Sequence, residues 1–261
     1  MKIYRFRHKN MIRYGVLREE NLHPVSGSIF DKFRIGERNI PISRVVLLPP
    51  VEPTKIVGIG RNYKEHSREL GNPVPREPLL FLKPPSAVIG PNGIISYPEM
   101  SERVDYEGEL AVVIRKEARR LSEEADVEEF ILGYTCFNDV TARDLQVKDV
   151  QFTRAKSFDT FASIGPCVAT GLDPGRLRIK TFLNGKLRQS SSTRNMLFPV
   201  SVLIRYVSCV MTLYPGDVIT TGTPEGVGPM APGDRVDVQI EGIGTLSNTV
   251  AVRDPRGAAL I

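Results

Sequence analysis

The distribution of apolar residues along the chain predicts a protein made mainly of β-strands. Strand-like runs of four to seven residues recur beyond residue 50, at 55–59, 79–82, 110–114, 131–137, 165–169, 179–183, 217–221 and 235–240. Runs of this length between Gly, Pro and Asp residues are typical of strands, because helices need longer periodic segments. Two Pro-Gly-Asp turns, at 215–217 and 232–234, each precede such a run.

Helical spacing is found in fewer places. Segment 197–212 carries apolar residues at helical intervals and is predicted to be a long helix. Segment 62–70 is predicted to be a short helix, with Asn62 at its N-cap, Glu65 at the capping-box position and Gly71 as its stop. The fold class expected from these patterns is mainly β with a few helices, an α+β protein.

The first 50 residues have a pattern of their own. Three short strands alternate apolar and basic residues, which predicts a small antiparallel sheet. The segment Pro49–Pro53 is a stiff connector, because three of its five residues are proline. We therefore predict a small basic N-terminal β domain over 1–50 and a larger domain over 51–261.

Composition excludes several classes of protein. Of the 261 residues, 41% are hydrophobic and 25% charged, as in an ordinary globular protein. The three Cys residues are isolated and match neither a disulfide framework nor a C-x-x-C metal site. The N-terminus lacks the apolar core of a signal peptide, and no apolar run approaches the ~20 residues that span a bilayer. The sequence predicts a cytoplasmic protein without a membrane partner.

The net charge of +5 is concentrated at one end of the chain. Residues 1–50 hold ten Lys/Arg and four Asp/Glu, whereas the other 211 residues hold 25 and 26. The larger predicted domain is therefore almost neutral. No aromatic or Gly-rich RNA-binding signature accompanies the basic segment, so a nucleic-acid partner is not predicted.

Two carboxylates stand at the start of one apolar run. The sequence Asp-Tyr-Glu-Gly-Glu at 105–109 leads directly into Leu-Ala-Val-Val-Ile. In a continuous strand Glu107 and Glu109 would point to the same side, about 7 Å apart along the strand. Buried carboxylates need a cation to neutralise them, which favours a metal site. A solvent-facing sheet edge is the alternative.

A third carboxylate follows another apolar run. Asp139 comes at the end of 131–137, and Asp139, Arg143 and Gln146 would share one face if 140–146 is helical. A set of carboxylates with neither His nor Cys favours a hard cation, Mg²⁺ before Mn²⁺ or Ca²⁺.

Three other features are ambiguous by themselves. His66 and Glu69 would share a helix face, as a general base with its orienting carboxylate or as a surface pair. Lys156 is a candidate acid among many solvated lysines. The segment 221–228, which contains Thr223, is Gly-rich but lacks the Walker lysine, so it is an acid-binding loop or a tight turn.

Taken together, these segments resemble the fumarylacetoacetate hydrolase family, and more closely its small acylpyruvase and 2-hydroxyhepta-2,4-diene-1,7-dioate isomerase members. The matching stretches occur in family order, at 60–63 with His66 and Glu69, 81–84, 105–109, 138–146, 155–158 and 221–228.

The resemblance implies a mixed β-sandwich roll, a homodimer and a divalent metal held by Glu107, Glu109 and Asp139. Its members hydrolyse acylpyruvates, decarboxylate oxaloacetate-like acids, or isomerise dienoates, so the substrate expected is a small anionic keto or enol acid. It implies catalytic roles for the following residues: His66, Glu69 and Lys156. It also leads us to predict these substrate contacts: Arg61, Tyr63, Lys83, Arg143, Gln146 and Thr223.

For hydrolysis, His66 supported by Glu69 would activate water, and for isomerisation the enolate chemistry alone would suffice. An oxaloacetate-type decarboxylase and a non-catalytic acid-binding module on the same scaffold are the alternatives. An intact set of acid, base and metal-ligand candidates argues against the non-catalytic module.

Overall fold

The chain was analysed as a computed structural model, which describes residues 1–253 and 259–260. Its strands are β1 Lys2–His8, β2 Met11–Arg18, β3 Asn21–Gly27, β4 Phe33–Ile35, β5 Ile40–Pro41, β6 Val46–Leu47, β7 Ile56–Gly60, β8 Leu79–Lys83, β9 Val88–Ile89, β10 Ile94–Tyr97, β11 Val104–Tyr106, β12 Gly108–Ile114, β13 Ile131–Asp139, β14 Thr141–Ala142, β15 Ala162–Ala169, β16 Arg178–Leu183, β17 Lys186–Ser192, β18 Val218–Thr220, β19 Gly228–Met230, β20 Arg235–Ile240, β21 Gly244–Arg253 and β22 Ala259–Leu260. The α-helices are α1 Lys64–Glu69, α2 Arg143–Asp149, α3 Thr153–Lys156 and α4 Val200–Val210.

Three sheets contain the described strands. The largest has the order β4-β3-β2-β1-β15-β13-β12-β18-β7-β8, with β5, β6 and β9 paired at its side. The second has the order β10-β21-β20-β16-β17 with β22, and the third is β14-β11-β19. The predicted mainly β fold with a few helices is confirmed.

Strand β12 lies near the middle of the large sheet and is buried on both faces. Leu110, Val112 and Ile114 pack into one apolar cluster, while Ala111 and Val113 pack into another on the opposite face. A strand covered on both sides needs apolar residues at every position, and this explains its uninterrupted apolar sequence. The acidic residues that precede it are thereby carried into the protein interior.

The N-terminal strands are joined to the large sheet. Strand β1 pairs antiparallel with β15, where Lys2 lies opposite Ala169 and Ile3 opposite Val168. The predicted three-stranded antiparallel arrangement is present as β1, β2 and β3. Across residues 1–253 and 259–260, no helix has both the length and the apolarity needed to cross a bilayer.

Three local predictions are wrong. The stretch 104–114 is two strands, because the chain leaves the small sheet at Tyr106 and enters the large one at Gly108. Segment 140–146 is not one helix, since Thr141–Ala142 form β14 and α2 begins only at Arg143, whereas Asp139 ends β13 as expected. Asn62 does not cap α1, which begins after Tyr63, because its side-chain amide is bonded to Phe198 and Thr221.

Candidate active site

Three buried carboxylates meet where strands of the large sheet end. Glu107 lies at the break between β11 and β12, Glu109 is the second residue of β12, and Asp139 ends β13. The Asp139 amide donates to the Glu107 carbonyl at 2.9 Å, which sets the two residues side by side. One ligand oxygen from each carboxylate lies within 4.8 Å of the others. The pairing of β12 with β13 thus builds an acidic cluster.

Three cationic side chains neutralise this cluster. Lys156 Nζ donates to Glu107 at 2.8 Å and to Asp139 at 2.6 Å. Lys83 Nζ donates to the other oxygen of Asp139, and Arg143 Nη2 donates to Glu107. Buried charges of this kind are tolerated only when they are paired in this way.

The carboxylates differ in their protonation. Burial alone would raise the pKa of Glu107, but Lys156 and Arg143 hold it well below its usual range. The pKa of Glu109 is raised well above its usual range by burial and by repulsion from Asp139 and Glu107. Its hydrogen bond from the Gly222 amide, at 2.8 Å, only partly offsets this effect. Glu109 is therefore the member of the cluster with the least cationic compensation.

The donor set fits a divalent metal ion. Two oxygens bound to one Mg²⁺ or Mn²⁺ ion lie about 3–4 Å apart when each metal–oxygen bond is about 2.1 Å. The three carboxylates offer oxygens within 4.8 Å of one another and contain neither sulfur nor nitrogen. Hard divalent cations prefer such ligands. The unfavourable burial of Glu109 is a second reason for the fit, since a cation would relieve it.

The loop at 221–226 is fixed to the cluster by a buried glutamine of another sheet. Gln189 of β17 accepts from the Gly108 amide at 3.0 Å and donates to Thr223 Oγ1 and to the Pro224 carbonyl, each at 2.8 Å. The Thr223 hydroxyl donates to the Gly108 carbonyl at 2.9 Å. Its single proton is thus committed to the backbone, and its remaining lone pair can accept.

Gly108 allows this close approach. A Cβ atom on residue 108 would lie 2.1 Å from Thr181 Oγ1 and 3.2 Å from Gln189 Oε1. Only glycine lets the strand between Glu107 and Glu109 lie directly against the second sheet.

His66 and Glu69 lie on α1, at the edge of the cluster. His66 is buried, and its Nδ1 lies 3.6 Å from Glu69 Oε2, beyond hydrogen-bond distance. The pKa of His66 is lowered, chiefly by burial, so the ring is neutral at pH 7. Glu69 accepts from the Gly226 amide at 3.0 and 3.1 Å. The pair is close together but is not joined in this conformation.

A cavity of about 600 Å³ opens above the carboxylates. Its lining combines charged side chains with apolar ones, including Leu70, Phe81, Val147, Val150 and Phe152. The predicted site residues that line it are Arg61, His66, Glu107, Glu109, Asp139, Arg143, Gln146, Lys156 and Thr223. A cavity of this size accommodates a small organic acid.

Three predicted residues lie outside the cavity wall. Lys83 is 1% exposed, and its Nζ donates to Asp139 Oδ1. Tyr63 is also buried, and its hydroxyl has no hydrogen-bond partner among the described residues. Glu69 lies beside His66, with its Oε2 3.6 Å from His66 Nδ1. Sequence reasoning overlooked Asp105, which accepts from Arg143 Nε at 2.9 Å, and Gln189. Asp105 could have been found, because it belongs to the same acidic stretch as Glu107.

The fold is mainly β, and its cavity brings buried carboxylates together with Lys and Arg side chains. These features are typical of an enzyme that acts on small acids. Two family models match the chain. The model described as fumarylacetoacetate (FAA) hydrolase C-terminal covers residues 55–251, and one described as Rv2993c-like, N-terminal covers residues 1–50. The chain belongs to the fumarylacetoacetate hydrolase family, and it is an enzyme.

Three proteins that are similar to this chain differ in the activities for which they are named. Oxaloacetate tautomerase YisK of Bacillus subtilis is 42% identical, over 83% of this chain and 76% of its own. The structure of 5-carboxymethyl-2-hydroxymuconate delta-isomerase from Mycobacterium smegmatis is 41% identical, with a TM-score of 0.90 over 97% of this chain and 100% of its own. That of maleylpyruvate hydrolase from Sphingobium, in complex with manganese(II) and pyruvate, is 31% identical, with a TM-score of 0.79 over 96% and 98%.

Proposed function

We propose that this enzyme interconverts the keto and enol forms of a small 2-oxo dicarboxylate by moving a proton at C3. The observation that carries the proposal is the position of Lys156, whose buried ammonium group bridges Glu107 and Asp139 on the cavity wall. A cation held there can stabilise the negative charge of an enolate. The tautomerase name of a relative at 42% identity supports the same reaction.

The metal requirement is part of the proposal. Glu107, Glu109 and Asp139 would hold the ion, Mg²⁺ or Mn²⁺ before Ca²⁺. When bound, such an ion supplies a Lewis acid for the 2-oxo group and its neighbouring carboxylate.

The protein's own residues would divide the remaining work. Arg143 is held by Asp105, Glu107 and Gln146, the last at 2.5 Å from its Nη1, so its guanidinium has one fixed orientation toward an acid in the cavity. Neutral His66 can take the C3 proton. Burial lowers the pKa of Lys156, but Asp139 and Glu107 outweigh it and raise the pKa above its ordinary value. Lys156 therefore stays protonated beside the enolate oxygen.

Exchange of the C3 protons of oxaloacetate in D₂O tests the proposal. With the purified protein and Mg²⁺ or Mn²⁺, we expect exchange and enol-to-keto conversion far above the uncatalysed rates, followed by NMR and by the ultraviolet absorbance of the enol. EDTA should abolish the enzymatic part, and added Mn²⁺ should restore it. Full activity in EDTA, or no acceleration with either metal, would contradict the proposal. Carbon dioxide release in the same samples tests the decarboxylase alternative.

Hydrolytic C–C cleavage is a second candidate, favoured by His66 and Glu69. These two side chains need to move less than 1 Å closer to form a hydrogen bond, since they lie 3.6 Å apart. The maleylpyruvate hydrolase at 31% identity is consistent with such a reaction.

The Glu69→Gln variant separates the two candidates. Gln retains an acceptor for the Gly226 amide but no longer stabilises a protonated imidazole. If the enzyme hydrolyses acylpyruvates, we expect this change to lower kcat for hydrolysis about 100-fold. Proton exchange on oxaloacetate should fall by less than about 10-fold, because the C3 protons beside its 2-oxo group are acidic and depend less on the stabilisation of protonated His66. A surface change of the same kind, Glu65→Gln, is the control, because Glu65 is exposed and pairs with exposed Arg68. Equal losses in both reactions would contradict this division of roles.

Two further features of the molecule are proposed. We propose that the chain divides after residue 50, because the two family models meet near that position. We also propose a homodimer. Edge strand β8 leaves Leu79 and Leu82 exposed, at 37% and 47%, and a second copy could cover them.

A further inference from the structure

Arg103 is a cationic residue of the cavity wall that the sequence motifs do not include. It directly precedes β11, and half of its side chain is exposed. Its Nε donates to Asp105 Oδ1 at 2.9 Å, and its Nη2 donates to Oδ2 at 3.2 Å. Two hydrogen bonds to one carboxylate fix the plane of the guanidinium, so little side-chain entropy remains to be lost on binding.

Asp105 accepts hydrogen bonds from two arginines at once. It is fully buried and also accepts from Arg143 Nε at 2.9 Å. The backbone joins the same two residues, because the Arg143 amide donates to the Arg103 carbonyl at 2.8 Å. One carboxylate cannot neutralise two guanidinium groups. Arg143 has Glu107 as a further anionic partner, whereas Arg103, the more exposed of the two, has Asp105 as its carboxylate partner among the described residues.

Arg103 also keeps hydrogen-bond donors for a ligand. A guanidinium carries five N–H groups, and the pair with Asp105 uses one on Nε and one on Nη2. Both N–H groups of Nη1 lie on the far side of the group from this pair. Val147 and Val150 line the same cavity and carry no charge that would compete for these donors.

We propose that Arg103 binds the distal carboxylate of the substrate, and that the enzyme thereby prefers dicarboxylates to 2-oxo acids of the same length with an uncharged end. Arg143 lies deeper, against metal-ligand candidate Glu107, and would contact the reacting end of the acid. Asp105 then acts as a positioning residue that sets the spacing of the two guanidinium groups. This inference rests on the proposed function and specifies its substrate class.

A matched pair of substrates tests the role of Arg103. Oxaloacetate and 2-oxobutanoate share the 2-oxo acid head and differ in carrying a carboxylate or a methyl group at the distal end. For the Arg103→Gln variant we expect kcat/KM for C3 proton exchange to fall about 10- to 100-fold with oxaloacetate and less than about 2-fold with 2-oxobutanoate. Arg103→Lys should recover part of the loss, because it keeps the charge without the paired donors.

Arg235→Gln is the control variant. Arg235 also pairs with an aspartate two residues later on a strand, Asp237, and is 59% exposed outside the cavity. It should leave both substrates unaffected. If Arg103→Gln weakens both substrates equally, Arg103 acts only through Asp105 and Arg143, and the proposal is wrong. If it weakens neither, the proposal is wrong as well.

Binding measurements decide the question even if the enzyme proves not to catalyse exchange. Malate and 2-hydroxybutanoate form a second matched pair that cannot undergo this reaction. Calorimetry with Mn²⁺ present should show that Arg103→Gln raises the Kd of malate about 10- to 100-fold and leaves that of 2-hydroxybutanoate unchanged. Failure of exchange with this binding difference intact would overturn the proposed function alone. An unchanged preference for malate would overturn the role of Arg103 alone.

Discussion

Replacing Glu109 by Gln is expected to abolish metal binding and turnover while leaving the metal-free fold intact. The change removes the one cluster carboxylate that has no Lys or Arg hydrogen-bond partner among the described residues, so the proposed metal would be the counterpart of its charge. Loss of a direct ligand should weaken Mn²⁺ binding at least 100-fold, and kcat/KM for C3 exchange about 1,000-fold. Gln can still accept from the Gly222 amide, which preserves the local fold.

The same variant should be as stable as the parent protein or more stable when metal-free. Burial and two neighbouring carboxylates raise the pKa of Glu109, so its ionised form is disfavoured in the folded protein. Gln has the shape of the neutral acid and avoids this cost. Calorimetry with Mn²⁺, the exchange assay and thermal unfolding in EDTA check these three expectations. The control is Glu129→Gln, which changes an exposed partner of Lys116. Unchanged Mn²⁺ affinity in the Glu109→Gln variant would contradict the metal assignment.

Replacing Lys156 by Met is expected to have the second-largest effect on turnover. This change removes a cation beside the substrate, whereas Glu109→Gln removes a metal-ligand candidate. Turnover should fall about 100-fold, because the enolate loses its cationic partner. Metal affinity should be retained or increase, since Lys156 no longer competes for Glu107 and Asp139.

The stability of the metal-free protein should also show that Lys156 competes with a metal for Glu107 and Asp139. Removing one member of a buried charge network leaves the others uncompensated, which typically costs about 3–5 kcal/mol. Added Mn²⁺ should therefore raise the Tm of the Lys156→Met variant by more than it raises that of the parent. Lys116→Met, at an exposed ion pair, provides the matched control. If the variant kept its turnover, or if Mn²⁺ stabilised it less than the parent, the assigned role would be wrong.

The strands were predictable from the sequence where burial on both faces imposes continuous apolar runs. The predicted runs 110–114 and 131–137 lie within β12 and β13, which are buried at every position. Their sheet order was not predictable, because pairings such as β1 with β15 join residues about 165 positions apart, which no local pattern encodes.

The candidate site was predictable as a set of residues, but its geometry was not. Glu107 and Glu109 were expected to lie near Asp139, and they do. The continuous strand that was assumed for them is wrong, because the structure breaks it at Glu107. Asn62 has the sequence of a helix cap, but long-range bonds to Phe198 and Thr221 override that local preference. Such bonds depend on tertiary structure, and single-sequence patterns do not contain it.

Lys83 illustrates the same limit for function. Its place in a matching stretch predicted a substrate contact, a role that stays a prediction. Its ammonium group is instead seen beneath Asp139, away from the cavity wall. Gln189 had no local signal at all, because a single glutamine in an exposed-looking polar strand carries no motif.

The hydrogen bonds of Gln189 connect the order of folding to the appearance of activity. The acidic cluster lies on the large sheet, its supporting loop follows β18, and the glutamine that ties them together belongs to the second sheet, 81 residues from Gly108. Contacts of such long sequence separation form only after considerable loop-closure entropy has been lost. The geometry of the candidate site is therefore complete only when the two main sheets are packed together, and separation of these sheets would remove it.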